Sequence, residues 1–228
     1  MARFSRLHVL NAMVETGLVP VFHHADAAVA AAISGALARG GTGVIEFTNR
    51  GDHAVEVFSE LQRHCSAEHP GVILGAGSIV DAPTAGHYIN LGADFIVGPV
   101  LNAEVARLCN RRKVAYSPGC GTASEISAAE ELGCEIVKIF PGDLVGGPAF
   151  VEALRGPCPW TSLMPTGGVD ITEESLAAWF EAGVACVGIG SKLVSSDIVS
   201  ARDWALLERR VAETLSLIRH LRAPTGGG

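Results

Sequence analysis

No basic run and no alternation of aromatic with basic residues occurs in this sequence, and its formal net charge is −7. Broad electrostatic attraction to nucleic acid or to an anionic membrane is therefore not expected. No apolar stretch approaches the roughly 18 residues that a membrane-crossing helix needs. The first residues lack a charged-then-apolar pattern with a small-residue cleavage site, so no export signal is expected and the protein is read as cytoplasmic. Cysteine is sparse and unpatterned: Cys65, Cys109, Cys120, Cys134, Cys158 and Cys186 include no C-x-x-C spacing. They read as reduced thiols, Cys134 and Cys186 as packing residues, and no metal site is expected. Phosphate fingerprints of open nucleotide-binding sheets are missing too. Gly75-Ala76-Gly77 lacks a third glycine at the required spacing, and no G-x-x-x-x-G-K-S/T occurs.

What is present is a long series of short apolar runs separated by helical patterns. Of the 228 residues, 48% are apolar and 18% charged, which suits one globular domain of α/β-barrel size. A leading helix is expected over 3–15, with Leu7, Leu10 and Val14 at helical spacing and Gly17 as its stop. Strands are expected over 18–23, 44–48, 72–77, 95–99, 114–119, 136–141, 162–165 and 185–190. Between them lie helices whose predicted caps are Asp26, Asp52, Asp81, Asn102, Thr122 with Glu125, and Thr172. A final helix is expected over 203–220 and a loose tail over 223–228. Continuous apolar strands without alternation belong to parallel sheets covered on both faces. Eight strand–helix units in this length predict a single (β/α)8 TIM barrel over residues 1–222, with an extra N-terminal helix.

One strand carries an anomaly. Lys138 sits inside Ile136-Val137-Lys138-Ile139-Phe140-Pro141. Burying an unpartnered ammonium is costly, and buried lysines respond by losing the proton. A neutral amine attacks carbonyls and forms Schiff bases. In a barrel, reactive groups sit at the carboxyl ends of strands. Reading only those positions adds Glu46, Thr48 and Arg50 after the second strand, Ser78 after the third, and Pro99 after the fourth. Residues two apart share a strand face, so an inward Lys138 brings Ile136 and Phe140 inward, and an inward Glu46 brings Val44 and Thr48. A nucleophilic amine with an acid, or a structural ion pair, both fit these positions.

Thr166-Gly167-Gly168 and Gly190-Ser191 end the seventh and eighth strands. They read as backbone N–H cradles for a phosphate, or as ordinary glycine turns. Arg50 suits a carboxylate, or stands as a surface partner for Asp52. Lys192 adds a charge near the cradle or points to solvent. His23 and His24 are consecutive, so they cannot easily share a metal, and one of them reaches the barrel mouth, where a substrate contact is open to it.

Taken together, Val19-Pro20-Val21, Glu46-Phe47-Thr48-Asn49-Arg50, Gly75-Ala76-Gly77-Ser78, Val137-Lys138-Ile139-Phe140-Pro141, Pro165-Thr166-Gly167-Gly168 and Gly190-Ser191 resemble one family over residues 17–195. It is the class I aldolases that cleave 2-keto-3-deoxy-6-phosphogluconate (KDPG) and 4-hydroxy-2-oxoglutarate (KHG). The resemblance implies a (β/α)8 barrel, commonly a homotrimer, that needs no cofactor. It implies Lys138 as the Schiff-base lysine and Glu46 as the proton shuttle. Arg50 and Ser78 would hold the substrate carboxylate, and Pro99 and Phe140 would line the pocket. Thr166, Gly167, Gly168, Gly190 and Ser191 would bind the phosphate of a keto sugar acid. Ser78 stands where threonine is usual, and Phe22-His23-His24, Phe47, Asn49 and Gly119-Cys120-Gly121-Thr122 also depart from the common pattern. The galactonate-derived epimer is the alternative substrate. A phosphosugar isomerase or epimerase, or a non-catalytic phosphosugar-binding barrel, are the alternative functions.

Overall fold

The computed structural model describes residues 2–223. Strands and helices alternate from β1 (Leu18–Phe22), α2 (Ala27–Arg39), β2 (Val44–Thr48), α3 (Ala54–Glu68), β3 (Ile73–Gly77) and α4 (Ala82–Asn90) to β4 (Phe95–Val97) and α5 (Ala103–Arg112). They continue through β5 (Ala115–Ser117), β6 (Gly119–Cys120), α6 (Ala123–Glu131), β7 (Val137–Ile139), α7 (Gly147–Arg155), β8 (Leu163–Pro165) and α8 (Glu173–Glu181). The chain ends with β9 (Val187–Ile189), α9 (Ser196–Ala201) and α10 (Trp204–Arg222), and α1 (Arg6–Thr16) precedes β1. This is an α/β fold, and every strand pair is parallel.

The strands form curled sheets ordered β5-β4-β3-β2-β1-β9 and β6-β7-β8. A parallel bridge between Thr166 and Gly188 and a 2.9 Å bond from Ala185 N–H to the Leu163 carbonyl connect β8 to β9. On the other side the expected fifth strand is split. Pro118 has no N–H to give to a ladder, so pairing lapses there between β5 and β6. Its carbonyl still accepts from Lys138 N–H at 3.0 Å, which fixes the height of β7 beside it. Gly119 allows the same close approach, since a Cβ there would meet the Pro99 carbonyl oxygen at 2.2 Å.

Alternation along the strands sorts side chains into two cores. Leu18, Phe22, Ile45, Phe47, Leu74, Ile96, Val137, Ile139, Val187 and Ile189 point outward and pack under the helices. Val19, Val44, Ile73, Phe95, Val97, Ala115, Ile136, Met164 and Cys186 point inward and form a separate cluster. Val9, Leu10 and Met13 of α1 complete that inner cluster from below. Of the face expected for α1, Leu10 is buried, but Leu7 is 72% exposed and Val14 38%. Helical spacing alone does not say which stripe meets the open end of the sheet. Here the stripe that meets it is the one carrying Val9 and Met13.

Caps predicted at Asp26, Asp81, Asn102, Thr122 and Thr172 accept from backbone N–H groups of their helices. The Glu125 carboxylate of the capping box accepts from Gly121 N–H at 2.8 Å. Asp52 does not cap α3. The chain passes through left-handed backbone at Gly51 and His53, so His53 takes the cap position without a side-chain bond. The six-residue α9 was not anticipated, being too short for a clear period. Of the expected tail, 224–228 lie outside the described residues.

Candidate active site

Lys138 and Glu46 are both inner-facing, on β7 and β2, above the inner apolar cluster. Lys138 is 5% exposed and Glu46 1%. Neither Glu46 carboxylate oxygen has a hydrogen-bond partner. Lys138 Nζ stands over the Phe140 ring, 4.9 Å from its centroid. No salt bridge joins Lys138 to Glu46 among the described residues. A structural ion pair would show close contact and satisfied oxygens, and this arrangement has neither. Burial pushes the Glu46 carboxyl up from the ordinary glutamate range, and the positive charges of Lys138 and Arg50 oppose part of that push.

Glycines shape the space around the acid. A Cβ on Gly77 would lie 1.8 Å from Glu46 Oε1, and one on Gly75 would lie 2.3 Å from the Phe95 ring. The Gly-Ala-Gly run of β3 therefore clears room for a carboxylate and an aromatic ring on its inner face. Ser78 follows with φ +60°, and Arg50 Nε lies 3.5 Å from its Oγ. Arg50 is exposed and has no carboxylate partner among the described residues, Asp52 included.

A cavity of about 890 Å³ opens at the carboxyl ends of the strands. Its wall runs from Thr48 and Arg50 through Phe22 and His23 to Thr166, Gly167 and Gly168 and on to Gly190, Ser191 and Lys192, with Phe140 also contributing. Gly167 and Gly168 have φ of +85° and +77°. The N–H groups of Gly168, Ser191 and Lys192 have no backbone acceptor among the described residues. Thr166 Oγ1 is buried and unpartnered, against Gly188, where a Cβ would meet it at 2.3 Å. Lys192 Nζ pairs with Asp170 at 2.8 Å, which links the loops after β8 and β9.

Lys138, Glu46, Pro99 and Ser78 are not part of this wall. Pro99 is half-buried beyond β4, its carbonyl packed against Gly119. His24 turns away into a local bond, its Nδ1 accepting from Asp26 N–H at 3.0 Å. The sequence reading missed Asp143, Ser196, Val199 and Ser200, which also line the cavity. Asp143 follows the Lys138 strand by a few residues, so strand-end position could have found it. The residues of α9 carried no such signal.

A buried amine and a buried, unpaired acid share the inner side of the strands, and Thr48, Phe140 and Arg50, two to four residues further along the same strands, line a cavity with free backbone N–H groups. Such a site suits an enzyme that makes or breaks bonds next to the carbonyl of an anionic substrate. Comparison with known proteins agrees. A family model described as KDPG and KHG aldolase matches residues 9–210, and the chain belongs to that family. The 2-dehydro-3-deoxy-phosphogluconate aldolase of Pseudomonas aeruginosa is 36% identical over 181 residues, 79% of each chain. The crystal structure of the 2-keto-3-deoxy-6-phospho-gluconate aldolase of Zymomonas mobilis is 28% identical, with a TM-score of 0.77 over 92% of this chain and 97% of that one. The KDPG aldolase of Legionella pneumophila, solved with pyruvate as a covalent carbinolamine, shares the fold at a TM-score of 0.82 and 24% identity, over 93% and 98% of the chains.

Proposed function

We propose that this aldolase cleaves KDPG to pyruvate and glyceraldehyde 3-phosphate through a Schiff base on Lys138, making it a class I lyase. KHG, giving pyruvate and glyoxylate, is its second substrate. The observation that carries this reading is a buried Lys138 amine whose charge is felt by a buried Glu46 carboxylate that no protein group satisfies.

The Lys138 Nζ lone pair adds to the C2 ketone of the substrate and gives a carbinolamine. Loss of water gives a protonated imine, with Glu46 relaying the protons. The imine draws electrons from the C3–C4 bond. Glu46 accepts the C4 hydroxyl proton, the C3–C4 bond breaks, and the aldehyde leaves. The remaining enamine is protonated at C3, and water releases pyruvate and frees the amine. Arg50, with Ser78 beside it, holds the C1 carboxylate by charge-assisted hydrogen bonds. The loops at Thr166–Gly168 and Gly190–Ser191 hold the phosphate by backbone N–H groups, and that remote binding energy orients the reacting carbons. Phe140 packs beside the reacting amine.

The strand connections support a closed (β/α)8 barrel with α1 as an extra helix at its base. The β8–β9 bridge supports closure on one side, and the chain running from β5 through Pro118 into β6 supports it on the other. Assembly as a homotrimer is proposed on the family resemblance. The activity is tested by measuring pyruvate release from KDPG, its C4 epimer and KHG side by side. Release from KDPG at enzymatic rates supports the reading, and no release from any of them overturns it.

A further inference from the structure

His23 is the first inner-column residue of β1 beyond the sheet. Val19 and Val21 precede it on the same side by the two-residue alternation. Val21 pairs in register with Glu46 and Phe22 with Phe47, so His23 stands level with Thr48, one inner layer above the acid. Its ring sits 5.9 Å from that of Phe47, and its Nε2 lies 3.9 Å from where a Gly51 Cβ would be. Gly51 has φ +77°, a backbone form open to glycine, and with no side chain there the imidazole stays exposed.

The sheet order puts β1 between β2 and β9. The carboxylate anchor, Arg50 with Ser78, follows β2 and β3. The phosphate cradle follows β8 and β9. A substrate stretched between these anchors passes the end of β1, and the continuous cavity wall from Arg50 through His23 to Gly190 follows that path. The carbons between the two anchored ends carry hydroxyl groups. On this part of the wall Val21 and Phe22 are apolar, and the Thr48 hydroxyl already donates to the Phe22 carbonyl at 3.4 Å. The His23 imidazole remains, with one donor and one acceptor when neutral. Burial holds it below the ordinary histidine value, aided by the charges of Arg50 and His24, while the nearby Thr48 carbonyl pulls the other way. The shift favours the neutral ring.

We propose that His23 is a specificity-determining residue of this aldolase, reading the configuration at C4 of the substrate by a hydrogen bond to a hydroxyl of its middle carbons. The proposal rests on the Schiff-base reading above. It does not need His23 for bond cleavage itself, which Glu46 and Lys138 perform.

The test compares wild type, His23→Val and His23→Asn on KDPG and its C4 epimer. The measured quantity is the ratio of the kcat/KM values for the two epimers. Loss of one hydrogen bond to substrate changes such a ratio by about tenfold. The wild-type preference should therefore shrink about tenfold in His23→Val and return in part in His23→Asn, which keeps a donor and an acceptor. Borohydride trapping of pyruvate should be unchanged in both, because pyruvate has no C4. An unchanged ratio in both variants, or a wild-type ratio near unity, overturns the proposal while trapping leaves the aldolase reading intact. Failure of wild type to trap pyruvate overturns both. Should His23→Val not fold, the ratio in His23→Asn decides: an altered preference supports the proposal, and the full wild-type preference overturns it.

Discussion

The Glu46 carboxylate occupies the space that a side chain at position 77 would fill: a Cβ on Gly77 would lie 1.8 Å from Oε1. Gly77 pairs in register with Thr48, so the clearance comes from the neighbouring strand. The missing methyl is thus part of how the acid is placed. Gly77→Ala should fold with its secondary structure intact and lose about 1–3 kcal/mol of stability to overpacking. Turnover should fall by more than tenfold as the carboxylate is displaced, which is within the range expected for a misplaced proton-transfer group. Thermal unfolding and steady-state kinetics check this. A Gly77→Ala variant with full activity would mean that the position of Glu46 is not critical.

Glu46→Gln separates catalysis from stability. Turnover should drop by about 10²- to 10⁴-fold, the usual contribution of a positioned proton-transfer group. Stability should move the other way. Burial raises the Glu46 carboxyl, so the folded state holds its proton more tightly than the unfolded chain does. Stability from that proton is fully present below the unfolded value and is lost as pH rises through the folded value. Glutamine escapes this loss. The melting temperature of the variant should therefore gain on wild type as pH rises above the ordinary glutamate value of about 4.3. A gap that narrows with rising pH would contradict the assignment.

Arg50 is exposed, beside Ser78, with no carboxylate of its own among the described residues. Hydrogen bonds to charged groups contribute about 1.5–3 kcal/mol. Arg50→Ala should raise KM for the keto acid by roughly 10- to 100-fold, with little change in melting temperature. Arg50→Lys should recover only part, because an ammonium cannot reproduce the planar fork. Equal KM values for wild type and Arg50→Ala would remove Arg50 from carboxylate binding.

The base of the sheet makes a prediction about stability alone. Met13 is fully buried in the inner cluster, with Val9 and Leu10 beside it. Met13→Ala should cost about 2–5 kcal/mol. Chemical denaturation would show this as a lower midpoint with an unchanged slope. A loss below about 0.5 kcal/mol, the usual range for surface changes, would mean that α1 is not integral to the core.

Strand positions were legible from the sequence because buried parallel strands read as short apolar runs, and helix caps were legible from Asp, Asn and Thr before helical periods. The inward side of β7 followed from a lysine among apolar residues. Other features depend on partners distant in sequence. Leu7 and Val14 have as good a helical spacing as Val9 and Met13, and only the open end of the sheet selects between them. The Asp52 cap failed because left-handed backbone at Gly51 and His53 redirects the chain, and short-range pattern does not carry that. In one dimension the glycines of β3 read as part of a strand carrying an incomplete phosphate motif. Their purpose emerges once Glu46 and Phe95 stand opposite them. The α9 wall of the cavity, with Ser196 and Ser200, left no trace a six-residue period could show.

The central claim is that Lys138 carries the substrate covalently. Incubating the protein with pyruvate and borohydride, followed by peptide mass mapping, measures this directly. The account predicts one N-carboxyethyl group per chain, located on Lys138, with none in Lys138→Ala and loss of pyruvate-releasing activity in step with its formation. An adduct on another lysine, or equal labelling of Lys138→Ala, would contradict it.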